Sequence, residues 1–227
     1  MSYDPITTGY YTKLESYESN VQNTFISRVY TIVFCQLLCS ACFSILTYCY
    51  KPVRNFVFVH PEFLAIALAG LFSCMIYMYC SKAGPFVLSL FTICQSYILG
   101  ILCTAYSPVT LLSALSLTAI TTGTLTVYVC LNKHKDFTWT LPLLLSGSVS
   151  FMMLIILTWV FGTSVFTNIV LGTFGSVLFS GYLVWDTYYI LTRYTPEEYI
   201  LASLNLYLDI INIFISFLRV VSSRNEI

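Results

Sequence analysis

Long stretches of this chain alternate between apolar residues and small hydroxyl-bearing ones, with no charge at all. No Asp, Glu, Lys or Arg occurs over the 22 residues from Val29 to Tyr50 or the 19 from Phe63 to Ser81. Two longer charge-free runs follow, Ala83–Asn132 with 50 residues and Phe137–Trp185 with 49. A helix crossing a bilayer needs about 20 apolar residues, so each long run holds two spans joined by a turn. Turn chemistry places the breaks at Tyr106-Ser107-Pro108 and at Phe161-Gly162-Thr163-Ser164. A sixth span runs from about Asn168 to Leu191. After Thr195-Pro196-Glu197-Glu198 comes a seventh apolar stretch, about Tyr199–Leu218. The pattern predicts an all-α membrane protein, a compact bundle of seven hydrophobic helices. It divides into a flexible cytosolic head (1–28), the bundle (29–218) and a short tail (219–227).

Composition agrees and excludes other classes. Of 227 residues, 58 % are hydrophobic and 9 % charged, with ten basic and ten acidic side chains. A soluble domain carries roughly 25 % charged residues. Zero net charge gives no general attraction to phosphate, so nucleic acid is not an expected partner. The head carries Asp4, Lys13, Glu15, Glu18 and Arg28 and no apolar core, so it does not read as a cleavable signal, and the first span serves as anchor.

Counting Lys and Arg outside the membrane argues orientation. With a cytosolic N-terminus and seven crossings, the inner face holds Lys13, Arg28, Lys82, Lys133, Lys135 and Arg193. The outer face then holds Lys51, Arg54, Arg219 and Arg224. If the seventh stretch is re-entrant, the last two arginines move inside and the bias becomes eight to two. Six spans with a re-entrant seventh, and seven full spans, both remain open at this stage.

Catalytic and metal motifs are sparse. Nine cysteines all lie in apolar runs, Cys35, Cys39 and Cys42 on one helical stripe, with no His or carboxylate beside them. Packing as small apolar residues is the expected role, and no disulfide framework or cofactor is expected. The two histidines, His60 and His134, fall in predicted loops, which leaves no histidine base within a span. The chain is not expected to be an enzyme.

Two carboxylates break the pattern. Asp186 lies on the sixth span and Asp209 on the seventh, where each costs about 2.5–3.5 kcal/mol at a helix centre. Glu198, Asn205, Asp209, Asn212, Ser216 and Arg219 recur at helical spacing, a polar stripe that must face the bundle interior or water. On the sixth span Gly172, Ser176 and Ser180 recur every four residues, the small-residue spacing that lets helices approach. Asp186 continues the line of Gly172, Gly175 and Phe179. The two spans could thus bring the carboxyls together. Two such groups cannot both ionise cheaply, so they would share a proton at low pH and, on losing it, repel or take a cation. Hard Ca²⁺ suits carboxylate, amide and hydroxyl oxygens, which makes Asp186 and Asp209 candidate transient ligands for it.

These residues resemble a known family. Phe25-Ile26-Ser27-Arg28-Val29-Tyr30, Trp185-Asp186-Thr187, Pro196-Glu197-Glu198-Tyr199 and Leu206-Tyr207-Leu208-Asp209-Ile210-Ile211-Asn212 are similar to the transmembrane BAX inhibitor motif (Lifeguard) family, and to its Golgi anti-apoptotic branch. The resemblance implies a Ca²⁺-permeable, pH-sensitive leak of Golgi or endoplasmic reticulum membranes that restrains apoptosis. Asp186 and Asp209 would be its sensor, with Glu197 and Asp209 tied to conduction. It implies the lipid bilayer, Ca²⁺ and H⁺ as partners, with a homo-oligomer and apoptosis or Ca²⁺-release regulators as further candidates. Bacterial relatives place an arginine on the second helix beside the pair; Phe63–Ser81 has none, so either another cation, with Arg28 and Arg219 as candidates, partners the pair or the gate works differently here. Two alternatives stand beside the channel: a non-conducting scaffold for apoptosis regulators, and an intramembrane aspartyl protease. The latter family carries Gly-x-Gly-Asp where this chain has Tyr207-Leu208-Asp209.

Overall fold

The computed structural model describes residues 5–81, 84–132, 135, 137–162 and 164–224, with side chains from Asn20 onward apart from Thr138. Lys82, Lys133 and His134, used above for orientation and loop assignment, lie outside the described residues, as do the side chains of Asp4, Lys13, Glu15 and Glu18. Eight α-helices follow in order: α1 (Pro5–Cys49), α2 (Lys51–Val59), α3 (Glu62–Cys80), α4 (Pro85–Thr104), α5 (Pro108–Leu131), α6 (Leu141–Phe161), α7 (Val165–Thr192) and α8 (Tyr199–Arg224). Two short 3₁₀ turns, Thr138–Thr140 and Pro196–Glu198, lead into α6 and α8. No strand occurs among the described residues. All helices but α2 contain a segment long and apolar enough to cross a membrane.

Local chemistry sets the ends. Proline stands in the first turn of α2, α4, α5 and α6, where its missing N–H is not needed. Ser107 caps α5 by accepting from the Thr110 amide. Ser164 and Thr167 form a reciprocal capping box that starts α7 at Val165, a turn earlier than the apolar pattern predicts. Gly162 closes α6 at φ 86°, in the left-handed region that favours glycine. The segment from Pro5 to Arg28 is continuous with the first span in α1. Helix α2 was not anticipated: its two cations and early proline read as a loop, yet Val57 is buried on its inner side.

The bundle is arranged around α8. Over half of α8's apolar window is buried (56 %), against 6 % for α6, which faces lipid almost all round. Helices α7, α5 and α1 pack against α8, while α4 bridges α1 and α3. Outward side chains such as Phe34, Phe72, Leu112 and Trp159 are large and apolar, as a hydrocarbon solvent requires. Hydroxyls within the spans mostly donate to the carbonyl four residues back, as Ser73 does to Ala69 and Thr118 to Ala114.

The seventh hydrophobic helix is unbroken over its 26 residues, with no reversal. At 1.5 Å per residue it is about 39 Å long, more than the roughly 30 Å hydrocarbon core. It is therefore long enough for a full crossing, and it runs parallel to α1 and antiparallel to α7.

Candidate functional site

Helices α7 and α8 meet along a glycine line. A Cβ on Gly172 would lie 2.5 Å from Val220 Cγ2 and 2.8 Å from the Ser216 carbonyl oxygen; one on Gly175 would lie 2.7 Å from Ser216 Oγ. Only hydrogen fits there. The contact line runs through Gly172 and Gly175, the line that Asp186 continues, whereas Gly181 meets Leu144 of α6. Further along the same two helices stand Asp186 and Asp209, only 5 % and 6 % exposed. Their carboxyl groups come close enough across the α7–α8 contact to act on one another. Asp186 Oδ1 and Asp209 Oδ2 are nevertheless buried without a hydrogen-bond partner, as is the neighbouring Trp185 Nε1. Buried acceptors left in this state are costly, so the arrangement suits a group that is offered a proton or a cation.

Neutral polar groups surround the pair. Tyr79 on α3 is near enough to both aspartates to feel their charge, and its Oη donates to Asn205 Oδ1 on α8 at 2.7 Å. Asn205 Nδ2 donates in turn to Tyr194 Oη at 3.3 Å. Tyr194 lies in the α7–α8 connection, where burial, and then the nearby Asp186 charge, hold its phenol well above the ordinary tyrosine range. It therefore stays protonated. These tyrosines were not identified in the sequence; among 18 tyrosines nothing in spacing singles out the two that reach α8.

The other expected site residues are distributed differently. Ser216 is buried against the glycine line, while Asn212 and Arg219 are half-buried further along α8. Glu198 does not extend the stripe into the bundle: its carboxylate caps the turn before α8, accepting from Thr195 N at 2.9 Å and Thr195 Oγ1 at 2.8 Å. Glu197 sits on the same exposed turn, twelve residues before Asp209 and so roughly 18 Å away along the helix axis. The Arg28 guanidinium lies 4.4 Å over the Tyr199 ring. Among the described residues, neither Arg28 nor Arg219 forms an ion pair with the aspartates; the side-chain pair found is His60–Glu62. Nor do the described residues contain a cluster of three or more His, Cys, Asp or Glu that could hold a metal.

On the far side of α8, a second polar group ties three helices. Ser40 Oγ of α1 lies 2.7 Å from Tyr207 Oη of α8 and 3.0 Å from Ser96 Oγ of α4. Gln36 Nε2 donates to Thr92 Oγ1 one turn away.

A profile of the family described as "Inhibitor of apoptosis-promoting Bax1" matches residues 22–226. The chain belongs to the BAX inhibitor/Lifeguard family. Among its relatives, the BI1-like protein of Arabidopsis thaliana is 32 % identical, the match covering 90 % of this chain and 82 % of that one. Bax inhibitor 1 of Schizosaccharomyces pombe is 31 % identical over 89 % of this chain and 77 % of its own. The Golgi anti-apoptotic protein of Vaccinia virus (strain Lister) is 27 % identical over 96 % and 92 %. The BAX inhibitor/Lifeguard match spans every membrane helix, and with it the α7–α8 pair.

Proposed function

We propose that this BAX inhibitor/Lifeguard protein is a cation leak, permeable to Ca²⁺, that lowers the Ca²⁺ content of Golgi or endoplasmic reticulum stores and thereby restrains apoptosis. The observation that carries the reading is the Asp186–Asp209 pair, two nearly inaccessible carboxyls on helices packed through glycine. Sharing one proton, the pair holds α7 and α8 together. Without that proton, two negative charges in a poorly solvating site repel, and the helices separate or admit a cation. Ca²⁺ is cargo here rather than a resident cofactor, since two carboxylates and an amide are too few oxygens to cage it. Tyr79, Tyr194 and Asn205 supply neutral dipoles beside the pair, in the place where Arg28 or Arg219 was expected. Glu197, on the exposed turn at the entry of α8, stands at the mouth rather than at the gate. The N-terminus is assigned to the cytosol.

We read the chain as non-enzymatic. An aspartyl protease must open backbone around its substrate, whereas α8 is an uninterrupted helix through Tyr207-Leu208-Asp209.

Reconstitution in liposomes tests the proposal. Ca²⁺ flux is expected to rise as pH is raised through the range of about 6 to 8, since loss of the shared proton opens the pair. Asp209→Asn and Asp186→Asn, which cannot lose a proton, are expected to give low flux at every pH. Flux that is absent from the unaltered protein at all pH values would overturn the leak and favour the non-conducting scaffold.

A further inference from the structure

A long slot runs down the side of the bundle between α1 and α5. Helix α1 packs on α4 and α8, and α5 packs on α7 and α8, which leaves α1 and α5 standing apart. The cavity between them has a volume of about 650 Å³, within the usual range for a small-molecule site. Its walls run from Phe34 to Cys49 on α1 and from Pro108 to Gly123 on α5; its floor is Ile210, Ile211 and Phe214 of α8. Fifteen helical steps on each wall make it about 22 Å deep. That exceeds half of a roughly 30 Å hydrocarbon core, so the slot passes the midplane.

Its lining is largely apolar, with the Tyr48 and Thr122 side chains as exceptions; Thr122 Oγ1 is buried without a hydrogen-bond partner. The hydroxyls of Ser40, Ser44 and Thr118 also line it but donate to carbonyls of their own helices, so these three offer no free donor to an occupant. The end at Cys49 and Pro108 is different. Helix α2 begins two residues past Cys49 with Lys51, exposed, and Arg54 one turn on. Neither cation is in an ion pair among the described residues, and Glu62, the nearby acid on α3, is held by His60 at 2.7 Å. Lys51 and Arg54 do not line the slot; they follow directly on its α1 wall, which sets two cations just beyond its Cys49 end.

We propose that this slot binds one phospholipid, its acyl chain extended between α1 and α5 and its headgroup phosphate held by Lys51 and Arg54. A chain fits the length and narrow course of the slot, and the phosphate supplies the charge the mouth lacks. The chain would lie against Ile210, adjacent in sequence to Asp209, and against Ser40, whose hydroxyl contacts Tyr207. The proposal does not depend on conduction.

The test uses the full chain in nanodiscs containing a phosphatidylcholine with a photoactivatable group midway along one chain, with labelled peptides identified by mass. Labelling is expected to concentrate on residues 34–49 and 108–123. Ala41→Phe with Ala119→Phe, both at exposed positions in the slot wall, is expected to reduce it about tenfold. Lys51→Gln with Arg54→Gln is expected to weaken it at least about fivefold, without affecting a photoactivatable diacylglycerol that carries no phosphate. Labelling spread evenly over the lipid-facing helices would overturn the proposal. So would preferential capture of a photoactivatable sterol in the slot, or a cross-link there to a second copy of the chain.

Discussion

Asp186 and Asp209 could be picked out of the sequence because charge is scarce enough for two acids within apolar spans to stand out. Their neighbours could not. Tyr79 meets Asn205 across 126 positions and Ser40 meets Tyr207 across 167, and Tyr and Ser are too common for such pairings to show before the helices are packed. The two contacts differ in what they cost to lose. Tyr79 is half exposed and Asn205 keeps its bond to Tyr194, so Tyr79→Phe is expected to destabilise by under about 1 kcal/mol. Ser40 and Tyr207 are 1 % and 0 % exposed, and removing the Ser40 hydroxyl weakens the support of a phenol that water cannot reach. Ser40→Ala is expected to cost about 1–3 kcal/mol. Unfolding in mixed micelles measures both; a larger loss in Tyr79→Phe would contradict this ranking.

At the level of elements, proline, glycine and serine marked most boundaries correctly, because each acts through its own backbone or cap. Helix α2 was missed since its nine residues are too short for a span and carry two cations. Small-residue spacing on α7 identified a close face, and the contact runs through Gly172 and Gly175, the line that carries on to Asp186. Gly172→Val would press a side chain into Val220 and the Ser216 carbonyl, neither of which is the free end of a flexible chain. Overpacking of this kind costs about 1–3 kcal/mol or more, and here it also forces apart the helices that carry the aspartates. Gly123→Ala on α5, with nothing within 4 Å of the added Cβ, is expected to leave stability unchanged or slightly improved. Thermal unfolding of the two variants beside the unaltered protein decides it. Equal losses would mean that the glycine line does not set the α7–α8 approach.

For the whole molecule, hydropathy alone settled an all-helical membrane bundle, but the path of its last helix depends on a competition between two rules. Charge asymmetry favours bringing Arg219 and Arg224 back to the side of the N-terminus, whereas a continuous 26-residue helix favours carrying them across. The second has the stronger physical basis here. A re-entrant segment needs non-helical backbone at membrane depth, tolerated only where protein or water satisfies it, and α8 has no break to accommodate a turn. As the central helix it is also shielded by α1, α5 and α7, so its polar stripe meets protein rather than lipid. Arginines near its end can extend their charge toward the interface, which makes the unfavourable count bearable. With an odd number of crossings, a tag after Ile227 is expected on the opposite side from a tag before Met1. Protease protection of both tags in sealed vesicles measures this, and recovery of the two on the same side would show that α8 does not cross. The result also fixes where the gate faces: Asp209 lies ten residues into α8, about 15 Å from its start, so a crossing helix places the carboxyl pair near the middle of the bilayer. There a proton or cation reaches it only through the bundle, and flux should then respond to pH more strongly from whichever side has the shorter polar path.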